Sequence, residues 1–276
     1  MRYQSTTGLT TGQILELEAR VTRVLSGRGI VEDRFVLDFL SQLELTLMVL
    51  RQNVSQMMAA DFFKVSQATV SRVLARMLPL VEMVCALNEF TLPDAGNGRV
   101  LIVDGTFIPT GNRPAEGKDT ERANFSGKHR VQCLNVQVAA TTDGHLVAVS
   151  EPVPGSRHDS TALTLTGWEN ELADLDWIAD TAYIGTNAIT PRKKHKGEQR
   201  SEADKAWNKS VSSIRAAIEH TIRHLKEWKI LATGYRGPDL GMFSDMCWGG
   251  LVDGGEGLAG GVGDGVFAGD GCAVDV

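Results

Sequence analysis

The strongest constraint in the sequence is a change of period near residue 92. From Glu32 to about Leu87 apolar residues recur at helical spacing, with no proline before Pro79. Between Leu92 and Arg99 the chain reads LPDAGNGR, a loop-like composition. Beyond it, short apolar runs alternate with turn signals. A chain with this pattern folds as an all-α part followed by an α/β part.

In the first part, Gly12 to Leu25 reads as a helix after the start signal Thr10-Thr11-Gly12, and the loop SGRGI follows it. Further helical segments are expected at Asp33 to Leu40, Leu43 to Arg51, Ser55 to Phe63 and Ser66 to Leu78. The last two are separated only by Lys64 and Val65, which fits a helix-turn-helix. Ser66 can cap the second helix, and Gln67, Thr69, Ser71 and Arg72 project from its first turns with side chains suited to base edges or phosphates. The turn lacks the usual glycine, so a plain helical bundle is the competing reading.

In the second part, Val100 to Val103 is a short apolar run expected to form a strand ending on Asp104-Gly105. Gly111 to Lys128 is polar and loop-like. Val131 to Ala140 and His145 to Ser150 flank Thr141-Thr142-Asp143-Gly144, a hairpin signal. Asp159 or Ser160 is expected to cap a helix through Leu163 and Leu165. Trp177 to Ala179 is a second apolar strand ending on an acid, Asp180. After the basic loop Pro191 to Arg200, Ile214 to Leu231 reads as one helix. Its apolar stripe is Ile214, Ile218, Ile222 and Leu225, and Arg215, Glu219, Arg223 and Lys226 lie on a neighbouring face.

Asp104, Asp180 and Glu219 thus lie on three elements of one α/β unit. Three converging carboxylates are what two hard divalent cations need, magnesium or manganese by their preference for oxygen ligands. Such a pair serves in-line displacement at phosphorus. Singly, each acid also suits a structural role: Asp104 at a strand-to-turn step, Asp180 as a cap, Glu219 in a surface ion pair. Zinc fits less well, because His220 and His224 lack the HExxH order. Ser156, His158 and Asp159 are too close in sequence to form a triad unaided.

Charge is unevenly spread. The net charge is −6, but no Lys or Arg follows Arg236, and that tail holds seven acids. Thr190 to Arg236 carries twelve basic residues against five acids, a local +7 that suits a polyanionic partner. Cys85, Cys133, Cys247 and Cys272 have no CxxC spacing, which argues against a zinc ribbon or a disulfide framework. No signal peptide or apolar run long enough for a membrane is legible, so a cytoplasmic protein is expected.

The segments VDGTF (Val103 to Phe107), PGSRHDS (Pro154 to Ser160), IADTAYIG (Ile178 to Gly185) and IEHTIRHLKEWKIL (Ile218 to Leu231) resemble the DDE superfamily endonucleases, insertion-sequence transposases related to the Harbinger nucleases. LRQNVSQMMAADFFKVSQATVSRVL, Leu50 to Leu74, is similar to the helix-turn-helix preceding that nuclease domain. The resemblance covers roughly Asp33 to Pro238. It implies a ribonuclease-H-like α/β catalytic domain after an all-α helix-turn-helix domain, with Asp104, Asp180 and Glu219 as catalytic and metal-binding triad for two Mg2+ (or Mn2+) ions. The implied activity is cleavage at transposon ends followed by strand transfer.

The implied partners are double-stranded DNA, both terminal inverted repeats and target, and further copies of the chain in a homodimer or higher oligomer, in the bacterial cytoplasm with the nucleoid and away from membranes. Ser66, Gln67, Thr69, Ser71, Arg72, Arg192, Lys193, Lys194, Lys196 and Arg200 are the DNA-contact candidates. His158 and Asp159 match a recurrent motif read here as support for the site. The expected division is 1–95 helical with the helix-turn-helix at about 55–78, 96–238 nuclease, and 239–276 a Gly/Asp-rich tail.

That tail departs from the family pattern, which continues with another amphipathic helix. Out-of-frame residues after a frameshift near Asp239 to Met246 would explain it, and reading the other two frames for such a helix tests this. A catalytically impaired relic or a DNA-binding inhibitor of the same ancestry is the alternative function; an unrelated metal-dependent phosphohydrolase is a third.

Overall fold

The computed structural model describes residues 3–27, 35–85, 91–111, 117–194, 197 and 199–234. The tail 239–276, Lys196 and the start of the helix expected from Asp33 lie outside the described residues.

The first part holds α1 (Tyr3–Thr6), α2 (Thr11–Gly27), α3 (Phe39–Gln52), α4 (Gln56–Phe63) and α5 (Gln67–Cys85). No helix covers residues 35–38, contrary to the expected segment Asp33 to Leu40. The Asp38 side chain accepts the Ser41 N–H at 2.8 Å, so the helix begins at Phe39. Ser55 caps α4 and Ser66 caps α5, accepting Met58 N–H at 3.2 Å and Thr69 N–H at 3.1 Å. The missing turn glycine is replaced by Lys64, which takes the left-handed conformation at φ 55°. The second helix runs past Leu78 and through Pro79 to Cys85.

The expected loop of residues 92–99 contains one helical turn, α6 (Leu92–Gly96), closed by a Thr91–Asp94 capping box. The sheet then follows as β1 (Leu101–Pro109), α7 (Lys118–Asn124), β2 (Phe125–Ser126), β3 (Val131–Thr141), β4 (Leu146–Val149), β5 (Val153–Pro154), α8 (Asp159–Leu165), α9 (Trp168–Glu171) and β6 (Trp177–Ile178). Thus 111–128, expected as loop, carries a helix and a strand. β3 is central. It pairs antiparallel with β1 on one edge and with β2, β5 and β4 on the other, while β6 runs parallel to β1. The β3–β4 hairpin turns at Asp143-Gly144, as its sequence predicts, with Gly144 at φ 87°.

β1 does not end at Asp104. Its pairing with β3 continues through Asp104↔Val138 and Gly105↔Gln137 to Pro109↔Cys133. β6 pairs with it only at Leu101 and Ile102. Among the described residues, the edge of β1 beyond Ile102 therefore has no strand partner on that side.

The last elements are α10 (Glu202–Leu225) and α11 (Lys229–Ala232). The helix expected over Ile214 to Leu231 breaks at Lys226–Trp228, and Ser201 caps its start. Val211, Ile218, Thr221 and Leu225 face the core, while Ile214, at the border of the stripe, is 39% exposed.

Both faces of the sheet are covered, so β3 is buried almost throughout. Even-numbered Ile102, Val136, Val138 and Ala140 join a core shared with α2, α3, α5, α10 and α11. Odd-numbered Leu101, Val103 and Ala139 join a second core with Leu163, Trp168, Trp177 and Tyr183. The helical part is pinned to the segment that follows α10 by polar contacts of Arg51 and Asn53. Arg51 pairs with Glu227 at 2.6 Å and lies over Trp228, and the Asn53 amide donates to Thr233 Oγ1 at 2.8 Å and to the Gly234 carbonyl at 2.9 Å.

Candidate metal and nucleic-acid site

Strand period two turns Asp104 toward α10, one residue past the buried Leu101–Val103 run. Its Oδ1 accepts the Gly105 N–H at 2.9 Å, and its Oδ2 accepts Arg215 Nη2 at 2.9 Å. The two side chains are 19% and 15% exposed. Burial pushes the Asp104 carboxyl up from 3.8 to about 6; Arg215 opposes this, and Asp180 and then Asp159 add to it. A half-desolvated carboxylate repelled by neighbouring acids is a strong acceptor for a cation. In this structure the guanidinium of Arg215 fills that role, with its Nε buried and without a hydrogen-bond partner.

Asp180 follows the short strand β6 and caps the 3-10 turn Thr181–Tyr183, accepting the Ala182 N–H at 2.6 Å. The expected cap role of Asp180 is thus present in its geometry, while the strand before it ends at Ile178, two residues short of the acid. Asp159 is the first residue of α8 rather than its cap; His158 takes the N-cap position without a side-chain bond. The Asp159 carboxylate instead accepts Asn135 Nδ2 at 2.8 Å.

That contact opens a buried polar chain across β3. Gln137 Nε2 donates to Asn135 Oδ1 at 3.3 Å, and the Tyr183 hydroxyl donates to Gln137 Oε1. Burial raises the Tyr183 hydroxyl well above its ordinary value, and Asp159, Asp104 and Asp180 add to the rise. One fully buried tyrosine thus senses all three acids. Gly105 permits this convergence, since a Cβ there would overlap Asp159 Oδ1. Tyr183→Phe leaves the buried Gln137 carbonyl unpaired and is expected to cost about 1–3 kcal/mol. Urea unfolding checks it: adding Gln137→Leu to Tyr183→Phe should cost less than the sum of the two single changes.

Glu219 lies one turn beyond Arg215 on α10, exposed to solvent, and is not among the groups that act on Asp104. Among the described residues, no three His, Cys, Asp or Glu stand close enough together to hold a metal ion. The structure therefore brings Asp180 and Asp159 into electrostatic reach of Asp104, with Glu219 exposed one turn from Arg215.

Of the other candidates, Ser66 and Thr69 are engaged with each other, Oγ to Oγ1 at 2.9 Å. Gln67, Ser71 and Arg72 are exposed on the start of α5, and Gln67 bonds Gln56 at 2.5 Å. The basic loop is anchored to the start of α10. Arg192 pairs with Asp204 at 2.8 Å, lies over Trp207, and its N–H donates to Asn208 Oδ1 at 2.8 Å. Arg200 donates to the Arg192 carbonyl at 3.4 Å, and Lys193 and Lys194 are exposed. Asp204 is eleven residues before Arg215, about 16 Å along a helix.

Sequence reasoning missed the Asn135–Gln137–Tyr183 chain. It also took Arg215 for a cation of the charged face; the only signal available was its place next to the apolar stripe.

The chain matches two family models: residues 103–243 that of a DDE superfamily endonuclease, and residues 36–83 that of the helix-turn-helix of DDE superfamily endonucleases. It is 30% identical over 183 residues to the transposase assigned to insertion sequence element IS112 of Streptomyces albus G, covering 66% of each chain. It is also 30% identical over 143 residues to that assigned to element IS702 of Microchaete diplosiphon, covering 50% of each. The matches thus span about two thirds and one half of those relatives. No solved structure matches the chain. Among the described residues no helix is long and apolar enough to cross a membrane.

Proposed function

The chain belongs to the DDE superfamily endonucleases and carries their helix-turn-helix, and from this premise we propose that it is a DNA transposase that cuts at transposon ends and joins them to target DNA. The observation that carries the reading is a half-buried carboxylate, Asp104, within electrostatic reach of Asp180, on the stretch of β1 beyond its pairing with β6 and within the segment that matches the nuclease family.

The fold reading is ribonuclease-H-like. It is supported by a sheet in which an antiparallel β1–β3–β4 meander is extended by β6, parallel to β1. The division into 1–95, 96–238 and 239–276 goes with it. Asp104 and Asp180, joined by Glu219, are proposed to hold two magnesium or manganese ions. When bound, these would supply activation of the attacking oxygen and stabilisation of the leaving one. The donor set fits, since Asp104 and Asp180 are acids that repel one another and a cation already satisfies one of them.

The chain's own residues do the positioning. Arg215 neutralises Asp104 and keeps it oriented along the sheet. Gln137 and Tyr183 fix the ground beneath the acids. Gln67, Ser71 and Arg72 on α5, with Ser66 and Thr69 shaping its start, are proposed to meet DNA. Arg192, Lys193, Lys194, Lys196 and Arg200 are proposed to neutralise phosphates, and further copies of the chain would pair two DNA ends.

The test is cleavage of duplex DNA carrying the element's ends by the purified full chain. Strand breaks are expected only with magnesium or manganese, and Asp180→Ala should lower the rate on the order of 10^4-fold. Metal-independent cleavage, or an unchanged rate in the variant, would remove this reading.

A further inference from the structure

A pocket of about 320 Å³ opens beside Gly105, between β1, the turn joining β2 to β3, and the turn leading into α8. Its floor is Asn135 and Asp159, and Asp159 is one of the charges that act on Asp104. Its rim carries two cations, Lys128 and Arg157, and two imidazoles, His129 and His158, all exposed. None of the ion pairs among the described residues engages Lys128 or Arg157. Two rim cations over the single carboxylate of Asp159 leave the opening net positive, which favours an anion held at the rim.

The size decides what kind. The volume lies at the lower end of small-ligand sites, and a duplex, with a major groove about 12 Å wide, does not enter such a space. A single nucleotide does. The rim also offers a stacking platform, because the His129 ring lies on Phe107 with centroids 3.8 Å apart and planes at 25°. His129 is exposed, so its ring can extend this stack by one more flat ring. Partial burial, then Lys128 and Lys226, hold the His129 imidazole below its ordinary value, with Asp159 opposing them.

We propose that this pocket is a nucleotide subsite for a single DNA strand, seating one unstacked nucleotide with its phosphate between Lys128 and Arg157 and its base on His129. The proposal rests on the transposase reading, in which the scissile phosphate lies at Asp104, and it names where the same strand is gripped next. Stacking of this kind tolerates any base, so the subsite fixes the strand's position without reading sequence.

The test measures binding of the full chain, in EDTA to prevent cleavage, to a fluorescein-labelled mixed-sequence single strand and to the same strand with abasic sites. Lys128→Ala with Arg157→Ala should weaken binding of both probes at least about tenfold and flatten the log affinity versus log salt slope by about 0.7, one phosphate's worth. His129→Ala should weaken the base-bearing probe about tenfold and leave the abasic probe unchanged, and His129→Phe, which keeps a flat ring, should restore binding. Variants that bind both probes as the wild type does, or a wild type that binds neither, would overturn the subsite. Cleavage of duplex ends is run in parallel. Cleaving wild type with variant-insensitive strand binding removes the subsite and leaves the transposase reading. Variant-sensitive strand binding without cleavage removes the transposase reading and leaves a nucleotide subsite.

Discussion

Asp104→Asn should abolish metal-dependent cleavage and, at pH 8, make the protein more stable than the wild type. The Asp104 carboxyl is raised from 3.8 to about 6, with burial as the main cause. A folded-state value above the unfolded one means that the group's contribution to stability is full below about pH 3.8 and is lost as pH rises through about 6. At 1.36 kcal/mol per pH unit, ionised Asp104 costs the native state about 3 kcal/mol at pH 8. Asn removes that charge. The guanidinium of Arg215, at 2.9 Å from Asp104, then loses its partner, which subtracts from the gain. Thermal unfolding from pH 4 to pH 8 gives the sign: the wild type should lose stability relative to Asp104→Asn as pH rises. Adding magnesium or manganese should raise the melting temperature of the wild type and not of the variant. A wild type that gains on the variant with rising pH would refute the burial argument.

Gly155→Ala should destabilise the chain by about 3 kcal/mol, near the upper end for overpacking. A Cβ at Gly155 would overlap the carbonyl oxygen of Cys133 and stand 2.9 Å from that of Asn124. Those atoms are backbone, and the Gly155 N–H itself donates to the Cys133 carbonyl at 3.0 Å, so neither side can yield by a rotamer change. For a chain of this size the melting temperature should fall by about 6–12 °C. Because the turn carries Arg157, His158 and Asp159, single-strand binding should weaken with it. A variant that melts like the wild type would show that the turn can move away from β3.

Much of the scaffold was legible in the sequence. Ser55 and Ser66 announce two helix starts three residues after a helix end or turn, Asp143-Gly144 announces the hairpin, and Ile218 and Leu225 announce the buried face of α10. The site was legible as residue types rather than as geometry. Asp104-Gly105 ends an apolar run and so looks like a strand end. In the fold β1 continues for nine residues, because β3 supplies partners as far as Cys133, where local sequence shows only four apolar residues. Arg215 and Glu219 are one helical turn apart, and spacing cannot say which of the two is rotated inward when both border the stripe. The position of Asp159 depends on the absence of a side chain at Gly105, a contact across 54 positions that no local pattern encodes. The break of the last helix at Lys226–Trp228 has no Gly or Pro to announce it.

The central claim is that Glu219, exposed on α10, completes the site with Asp104 and Asp180. The most direct measurement compares Glu219→Gln with Asp159→Asn in metal-dependent cleavage of DNA carrying the element's ends. Glu219→Gln should lower the rate on the order of 10^4-fold while the protein's melting temperature stays near that of the wild type. Asp159→Asn, whose carboxylate is tied to Asn135, should lower it less and reduce stability as well. Full activity in Glu219→Gln together with loss in Asp159→Asn would contradict the account, and would make the third acid the one that the fold already places beside Asp104.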